Sequence, residues 1–121
     1  MEAAGPKQYV TLDGSRVVEL IRPEREGARN LSLARAVIEP GASTVRHRHR
    51  EAEEVYYVLA GEGTVEVGAR IERVGPGDAR LIPPGVEHRV TCIGARPLVL
   101  LCACSPPYSH EDTELTEPVV T

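Results

Sequence analysis

The chain has 121 residues and a formal net charge of −4, with 41% hydrophobic and 26% charged residues. These values are ordinary for one soluble globular domain, and the negative balance gives no electrostatic footprint for nucleic acid. No apolar run is long enough to span a membrane and the N-terminus has no signal-peptide core, so we expect a cytoplasmic protein without membrane or nucleic-acid partners. Its three cysteines, an odd number, do not suggest a secreted disulfide framework.

Short strands separated by turn residues make up most of the predicted structure. Residues 1–15 are predicted to form an irregular arm with a turn at Asp13-Gly14, and 22–29 a charged loop. No segment has sustained helical periodicity, whereas turn residues recur about every eight to twelve positions, which is typical of all-β sandwiches and barrels. Alternation of apolar and polar residues predicts strands at 16–21, 31–39, 44–49, 54–59, 64–67, 79–82, 88–92 and 97–104.

Three of the four histidines and one glutamate have spacings that suit a metal ion. His47 and His49 are two residues apart on a predicted strand, so both side chains point to one face, roughly 7 Å apart along the backbone. Glu54 follows after a segment of about a turn's length and can face them from the next strand. His88 comes after the rigid turn at 83–85, which would place it on a further strand. The pattern predicts one metal site held by these four residues.

The sequence leaves two alternatives to this set. The histidines could be ordinary loop and surface residues of a chain without metal, although the pair, the spaced glutamate and the distant histidine together favour the metal site. Glu53 is the rival of Glu54 for the carboxylate ligand. A strand that begins at Glu54 turns Glu53 to the solvent side, so Glu54 is the predicted ligand.

Imidazole and carboxylate ligands suit Fe, Mn, Co, Ni, Cu or Zn without choosing among them, so the predicted cofactor is one divalent transition metal ion. Four protein ligands on an octahedral ion leave two positions for water, oxygen or substrate, as in a catalytic site. Glu54 could also accept a proton if it detaches from the metal. Tyr56 shares a face with Glu54 and is the candidate acid; a core tyrosine is the equal alternative.

Other polar residues have both a functional and a structural interpretation. Arg35 lies within a strand and could clamp an anionic substrate, but extension to solvent is favoured. Cys92 shares a face with His88, and a small buried apolar group is favoured over a thiol near the metal. The tail after Ser105 is polar and acidic, and we expect it to wrap the outside or to pair at a sheet edge. His110 is expected at the surface unless the tail folds back over the site.

The same residues carry a resemblance to the cupin superfamily. Its first motif, Gly-x5-His-x-His-x4-Glu-x6-Gly, and its second, Gly-x5-Pro-x-Gly-x2-His-x3-Asn, agree with this chain at nine of ten fixed positions. The departure is Cys92, where the motif has asparagine; that asparagine is not a metal ligand in the family, so the site is retained while packing after His88 can differ. The matching residues are Gly41, His47, His49, Glu54, Gly61, Gly77, Pro83, Gly85 and His88.

The resemblance implies a small jelly-roll barrel, the double-stranded β-helix, as a core at 31–104. An N-terminal arm and first strand at 1–30 and a tail at 105–121 belong to the same single domain. The resemblance also implies one divalent metal held by the four matching residues, and a homodimer. It extends weakly to single-domain cupins named after mannose-6-phosphate isomerase or quercetin dioxygenase, but such names rest on the barrel, and a fold does not determine a function.

Three classes of function follow from this interpretation. The favoured one is a metal-dependent enzyme with dioxygenase-like activity on a small molecule, and isomerase or lyase chemistry is its alternative with a metal that is not redox-active. The second class is a non-catalytic barrel that binds a sugar or small acid, and in the third the metal is only structural. The predicted partners are a small-molecule substrate or ligand and a second copy of the chain.

Overall fold

A computed structural model describes residues 8–10 and 15–118 of the chain. The predicted turn at Asp13-Gly14 lies outside these ranges. The elements are β1 (Gln8–Val10), β2 (Arg16–Ile21), α1 (Pro23–Glu26), β3 (Ser32–Ile38), β4 (His47–His49), β5 (Glu53–Ala60), β6 (Gly63–Val67), β7 (Arg70–Val74), β8 (Ala79–Ile82), β9 (His88–Cys92), β10 (Leu98–Ser105) and β11 (Thr113–Leu115).

The strands form two antiparallel sheets. The six-stranded sheet has the order β1-β2-β3-β10-β5-β8, and the five-stranded sheet has the order β11-β4-β9-β6-β7. The N-terminal arm extends the first sheet, because β1 pairs with β2 and β2 pairs with β3. The tail extends the second sheet, because β11 pairs with β4. The two sheets confirm the predicted all-β fold.

The hydrophobic core combines residues of both sheets and results from alternation within each strand. On β5, Glu54, Tyr56 and Val58 are buried, whereas the residues between them are exposed. Successive side chains of a strand point to opposite faces, so every second residue of β5 points inward. The most deeply buried apolar side chains, drawn from five strands of the two sheets, are Val58, Val65, Ile82, Val90, Cys92, Leu98 and Leu100.

All eight predicted strands are present, with ends that differ by at most three residues from the prediction. The prediction of a loop at 22–29 was wrong in part, since Pro23 begins a one-turn helix that ends at Gly27 with φ of 78°. β7 was not predicted, because its alternation is weak and Ile71 is 66% exposed. No helix in the described ranges is long and apolar enough to cross a membrane.

Gly61, in the turn after β5, lies where the chain packs closely against the Pro97 backbone. Its φ is 84°, where L-residues are strained, and an added Cβ would overlap the Pro97 carbonyl oxygen. Gly41 is a matched control, since its φ is 78° but no atom lies within 4 Å of an added Cβ. In urea denaturation we expect Gly61→Ala to lower the free energy of unfolding by about 2–5 kcal/mol and Gly41→Ala by about 1–2 kcal/mol. Equal losses would contradict the steric argument.

Candidate metal centre

The four predicted metal ligands come together between the sheets. His47 and His49 lie on β4 and His88 lies on β9, in the five-stranded sheet, where His47 pairs with His88. Glu54 lies on β5 of the six-stranded sheet. All four are buried, and their ligand atoms lie within 4.8 Å of one another. One cation could therefore contact all four residues.

Strand alternation and one carboxylate clamp bring the ligand-bearing strands together. On β4, His47 and His49 point inward, whereas Arg48 between them is only half-buried and points to the outer face. The turn between β4 and β5 is held by Asp112 in the tail. Its carboxylate oxygens accept hydrogen bonds from the two backbone N–H groups at 51–52, at 2.9 and 3.1 Å. The tail therefore holds the turn that connects β4 to β5.

Glu54, and not Glu53, faces the histidines. Glu53 is exposed, whereas Glu54 is only 6% exposed. The Oε1 atom of Glu54 lies 3.3 Å from His49 Nε2 and 3.5 Å from His88 Nε2, while Oε2 accepts a hydrogen bond from the Cys104 thiol at 3.4 Å. Burial alone would raise the pKa of the Glu54 carboxyl, but the two imidazoles outweigh burial and hold this pKa below its ordinary range. Glu54 is therefore an anion that presents one oxygen to the centre.

The hydrogen bonds of the imidazole rings turn the same nitrogen of each ring toward the centre. Nδ1 of His47 and Nδ1 of His88 lie 2.7 and 3.0 Å from the backbone carbonyl oxygen two residues earlier. A carbonyl oxygen can only accept, so these Nδ1 atoms carry the proton. His49 Nδ1 lies 3.0 Å from the Thr113 hydroxyl oxygen, and because that hydroxyl donates its proton to the Ser109 carbonyl oxygen, His49 Nδ1 is the donor here too. With Nδ1 as the donor, Nε2 is the nitrogen of each ring that a metal can bind, and metal binding displaces any proton that Nε2 shares with Glu54.

This arrangement fits a divalent transition metal. His88 Nε2 is buried and has no hydrogen-bond partner among the described residues. Such an atom is unfavourable in a protein interior unless a ligand takes its lone pair. Three neutral imidazole nitrogens and one carboxylate oxygen form a donor set that any of Fe, Mn, Co, Ni, Cu and Zn accepts. The structure therefore supports a possible metal site at the four residues that the spacing singled out.

A narrow cavity of about 50 Å³ is lined by three of the four residues, His47, His49 and Glu54. A single buried water needs roughly 10–15 Å³ of such space, so the cavity has room for about four waters or a few ligand atoms. Its walls are mainly apolar, and the described residues that line it include no lysine or arginine. Glu19, which lines the cavity too, is paired with Arg22 at 3.0 Å. An anionic ligand would therefore meet no lysine or arginine among the described residues of the cavity wall.

The other residues considered from the sequence have distinct environments. Tyr56 is buried on the Glu54 face of β5, with its ring centre 6.0 Å from that of His88; its role as an acid stays a prediction. Arg35 is exposed and does not line the cavity, as the solvent interpretation expected. The buried Cys92 thiol donates to the Arg96 carbonyl oxygen at 3.1 Å, so it stabilises the turn after β9.

Cys104, whose thiol donates to Glu54, was not predicted at the site, and neither were two residues of the tail after Ser105. The Tyr108 ring lines the cavity and packs edge-on against His49, with ring centres 5.8 Å apart. Thr113 holds His49 through its hydroxyl. Of the two expected placements of the tail, pairing at a sheet edge is confirmed, and His110 is exposed. Tyr108 and Leu115, within a mainly polar tail, were the sequence signals that could have indicated a partly buried segment.

Known proteins share this architecture. The family model described as a cupin domain matches residues 34–104, more than half of the chain. The uncharacterized protein MJ1618 of Methanocaldococcus jannaschii is 42% identical over 111 residues, which cover 92% of this chain and 89% of that protein. This relative supports the family and assigns no activity.

Solved structures show the same fold. Oxalate decarboxylase of Lactobacillus farciminis superposes with a TM-score of 0.79 at 24% identity, and the match covers 92% of this chain but only 33% of that one. The polyketide cyclase RemF of Streptomyces resistomycificus superposes with a TM-score of 0.78 at 23% identity, over 98% of this chain and 85% of that one. At these identities the likeness shows the fold alone, which is the predicted double-stranded β-helix. Together with the match to the family model, it shows that this chain belongs to the cupin family.

Proposed function

We propose that the protein is a mononuclear metal-dependent enzyme that acts on a small, uncharged molecule. The observation that carries the proposal is the convergence of three imidazoles and one carboxylate beside an apolar cavity. Four protein ligands close a tetrahedral structural site, whereas an octahedral ion keeps two positions for other ligands, and the cavity gives such ligands room. A bound metal would supply a Lewis acid or a redox centre there.

The cavity offers few side chains for acid-base or nucleophilic chemistry. Tyr56 is the candidate acid, and Glu54 can accept a proton if it detaches from the metal. Burial and the neighbouring Glu54 carboxylate raise the pKa of the Cys104 thiol, so this cysteine does not provide a reactive thiolate. This shortage favours a dioxygenase-like reaction, which needs no protein nucleophile, over an isomerase or lyase that relies on a positioned acid and base.

The lining of the cavity supports an uncharged substrate. Recognition of carboxylate or phosphate groups commonly uses arginine or lysine, and neither residue type is among the described residues that line this cavity. Oxalate, the substrate named for one structural neighbour, is therefore not carried over to this chain. A dianion here would lie near the Glu54 and Glu19 carboxylates, and only the metal and its histidine ligands, with no lysine or arginine, would offset its charge.

Elemental analysis of the purified protein is the first test of the proposal. We expect about one transition-metal ion per chain, and a His49→Ala variant should lose both this metal and any turnover because a ligand is missing. Iron, with oxygen uptake in the presence of small uncharged enols or phenols, would support the dioxygenase-like reaction. Zinc or nickel without oxygen uptake would favour the isomerase, lyase or binding alternatives. Wild-type protein that binds no metal would contradict the proposal.

The expected homodimer and cytoplasmic location stay predictions. Val55, Tyr57 and Leu59 are exposed on the outer face of β5, and Leu81 of β8 pairs with Val55 on the same face and is 57% exposed. An apolar patch of this kind is the surface on which we expect a second copy of the chain to pack. Light scattering would then give a mass of twice 13.1 kDa.

A further inference from the structure

The three imidazoles are not oriented in the same way. His47 and His88 donate from Nδ1 to a carbonyl oxygen two residues earlier, on Val45 and Val86, so each ring is held by its own segment of chain. His49 instead depends on the Thr113 hydroxyl, which is 64 residues away in the sequence. One metal ligand therefore relies on a distant part of the chain for its orientation.

The Thr113 hydroxyl determines the tautomer of His49. Thr113 donates its own proton to the Ser109 carbonyl oxygen at 2.8 Å. Its oxygen is then the acceptor for His49 Nδ1–H, at 3.0 Å. The chain of two hydrogen bonds runs in one direction, from the imidazole through the hydroxyl to the backbone. It leaves His49 Nε2, which faces Glu54, as the nitrogen that can bind a metal.

The register of β11 places Thr113 at this position. Thr113 pairs with His49, and the next residue, Glu114, pairs with Arg48 on the outer face. A slip of one residue would turn Thr113 outward and bring Glu114 to the inner face. The Glu114–Arg48 ion pair, at 2.8 Å, is 40% exposed on both sides and contributes little by itself. Backbone pairing between the strands therefore provides most of the register.

We define the C-terminal strap as residues 105–118. Besides pairing with β4, it contacts the other sheet, since the Tyr108 backbone N–H donates to the Ser32 hydroxyl on β3 at 2.9 Å. It also holds the β4–β5 turn through Asp112. The strap thus touches both sheets and the connection between two ligand-bearing strands. It lies beyond residues 34–104, the part of the chain that the cupin family model matches.

We propose that the C-terminal strap contributes to metal binding and that Thr113 is the positioning residue of His49. The inference rests on the proposed metal site. Because the strap orients one ligand, metal binding and docking of the strap stabilise each other, and this coupling is reciprocal. Hydrogen bonds of this kind to a metal-bound histidine are typically worth a factor of about 10–100 in metal affinity.

Three variants of the full-length chain test the proposal. Thr113→Val removes the hydroxyl with little change of shape, and Thr113→Ser keeps the hydroxyl. Thr116→Val is the matched control, because the Thr116 hydroxyl in the same strap is buried and has no hydrogen-bond partner within the part of the chain that the structure describes. Affinity for Zn²⁺ is measured by competition with a chelator, and the visible absorption of the Co²⁺-loaded protein reports the ligand geometry. We expect Thr113→Val to bind Zn²⁺ about 10–100-fold more weakly and to alter the Co²⁺ spectrum.

The outcomes separate this inference from the proposed function. Thr113→Ser and Thr116→Val should retain the wild-type affinity and spectrum. Equal Zn²⁺ affinity of Thr113→Val and Thr116→Val would overturn the role of Thr113 and leave the proposed metal site intact. Wild-type protein that binds neither ion would overturn both. Hydrogen exchange at the backbone amides of 50–52, which donate to Asp112, should slow on metal addition in the wild type and less in Thr113→Val.

Discussion

Glu54→Gln should weaken binding of a divalent transition metal by at least about 100-fold, whereas Glu53→Gln should leave the affinity unchanged. Glu54 is the only anionic ligand of the centre, and its Oε1 lies 3.3 Å from His49 Nε2. Glutamine keeps the shape of the side chain but replaces the carboxylate with a neutral amide. A buried dication would then face three neutral imidazoles without a balancing charge, which is unfavourable in a medium of low polarity.

The neighbouring glutamate makes this comparison a close control. Glu53 has the same chemistry on the same strand, but alternation turns it to the solvent. Chelator competition with Zn²⁺, combined with the metal content of each purified variant, measures the difference. A larger loss in Glu53→Gln would mean that β5 faces the centre with its other side and that the assigned ligand set is wrong.

Removal of the metal should lower the stability of the folded chain by about 4 kcal/mol, relative to protein with free metal at a thousand times its dissociation constant. The ligands lie on three strands of two different sheets, so a bound ion links the sheets in the native state. The unfolded chain does not hold these residues together, and the binding free energy therefore adds to the free energy of unfolding. For a chain of this size, the melting temperature with excess metal should be roughly 10–20 °C higher than that of the metal-free protein.

Scanning calorimetry with chelator and with excess metal measures this shift. Glu54→Gln serves as the control, because its melting temperature should respond much less to added metal. A wild-type melting temperature that is the same with chelator and with metal would show that the four residues do not bind the ion tightly. The comparison needs no substrate, so it tests the metal site apart from any catalytic activity.

The ligand set was predictable because strand alternation is a local property. Two histidines at positions i and i+2 of any strand share a face, whatever the strand pairs with. The same rule distinguished Glu54 from Glu53, and burial confirms that distinction. Turn residues such as those at 83–85 marked the start of the strand that carries His88. Each of these inferences needed only neighbouring residues.

The C-terminal strap was harder to predict because its contacts are remote in sequence. β11 has only three residues, two of them polar, and nothing in its spacing names β4 as its partner. Which strand pairs with β11, 64 residues away in the sequence, depends on how the intervening strands fold. The alternation of apolar and polar residues within a strand does not identify that strand's partner. The absence of lysine and arginine from the described cavity lining could not be predicted either, because residues of both sheets and of the strap form that lining.

By itself, the sequence determined the all-β fold, the resemblance to cupins and the four residues that could hold a metal. Alternation, turn residues and motif spacing depend only on residues that are close in the sequence. Only the tertiary structure decided that the Thr113 hydroxyl meets His49, that the Tyr108 ring packs against it and that the described cavity wall lacks lysine and arginine. These features arise where segments that are distant in sequence come into contact. The burial of apolar surface and the close packing that bring such segments together depend on the two sheets as a whole.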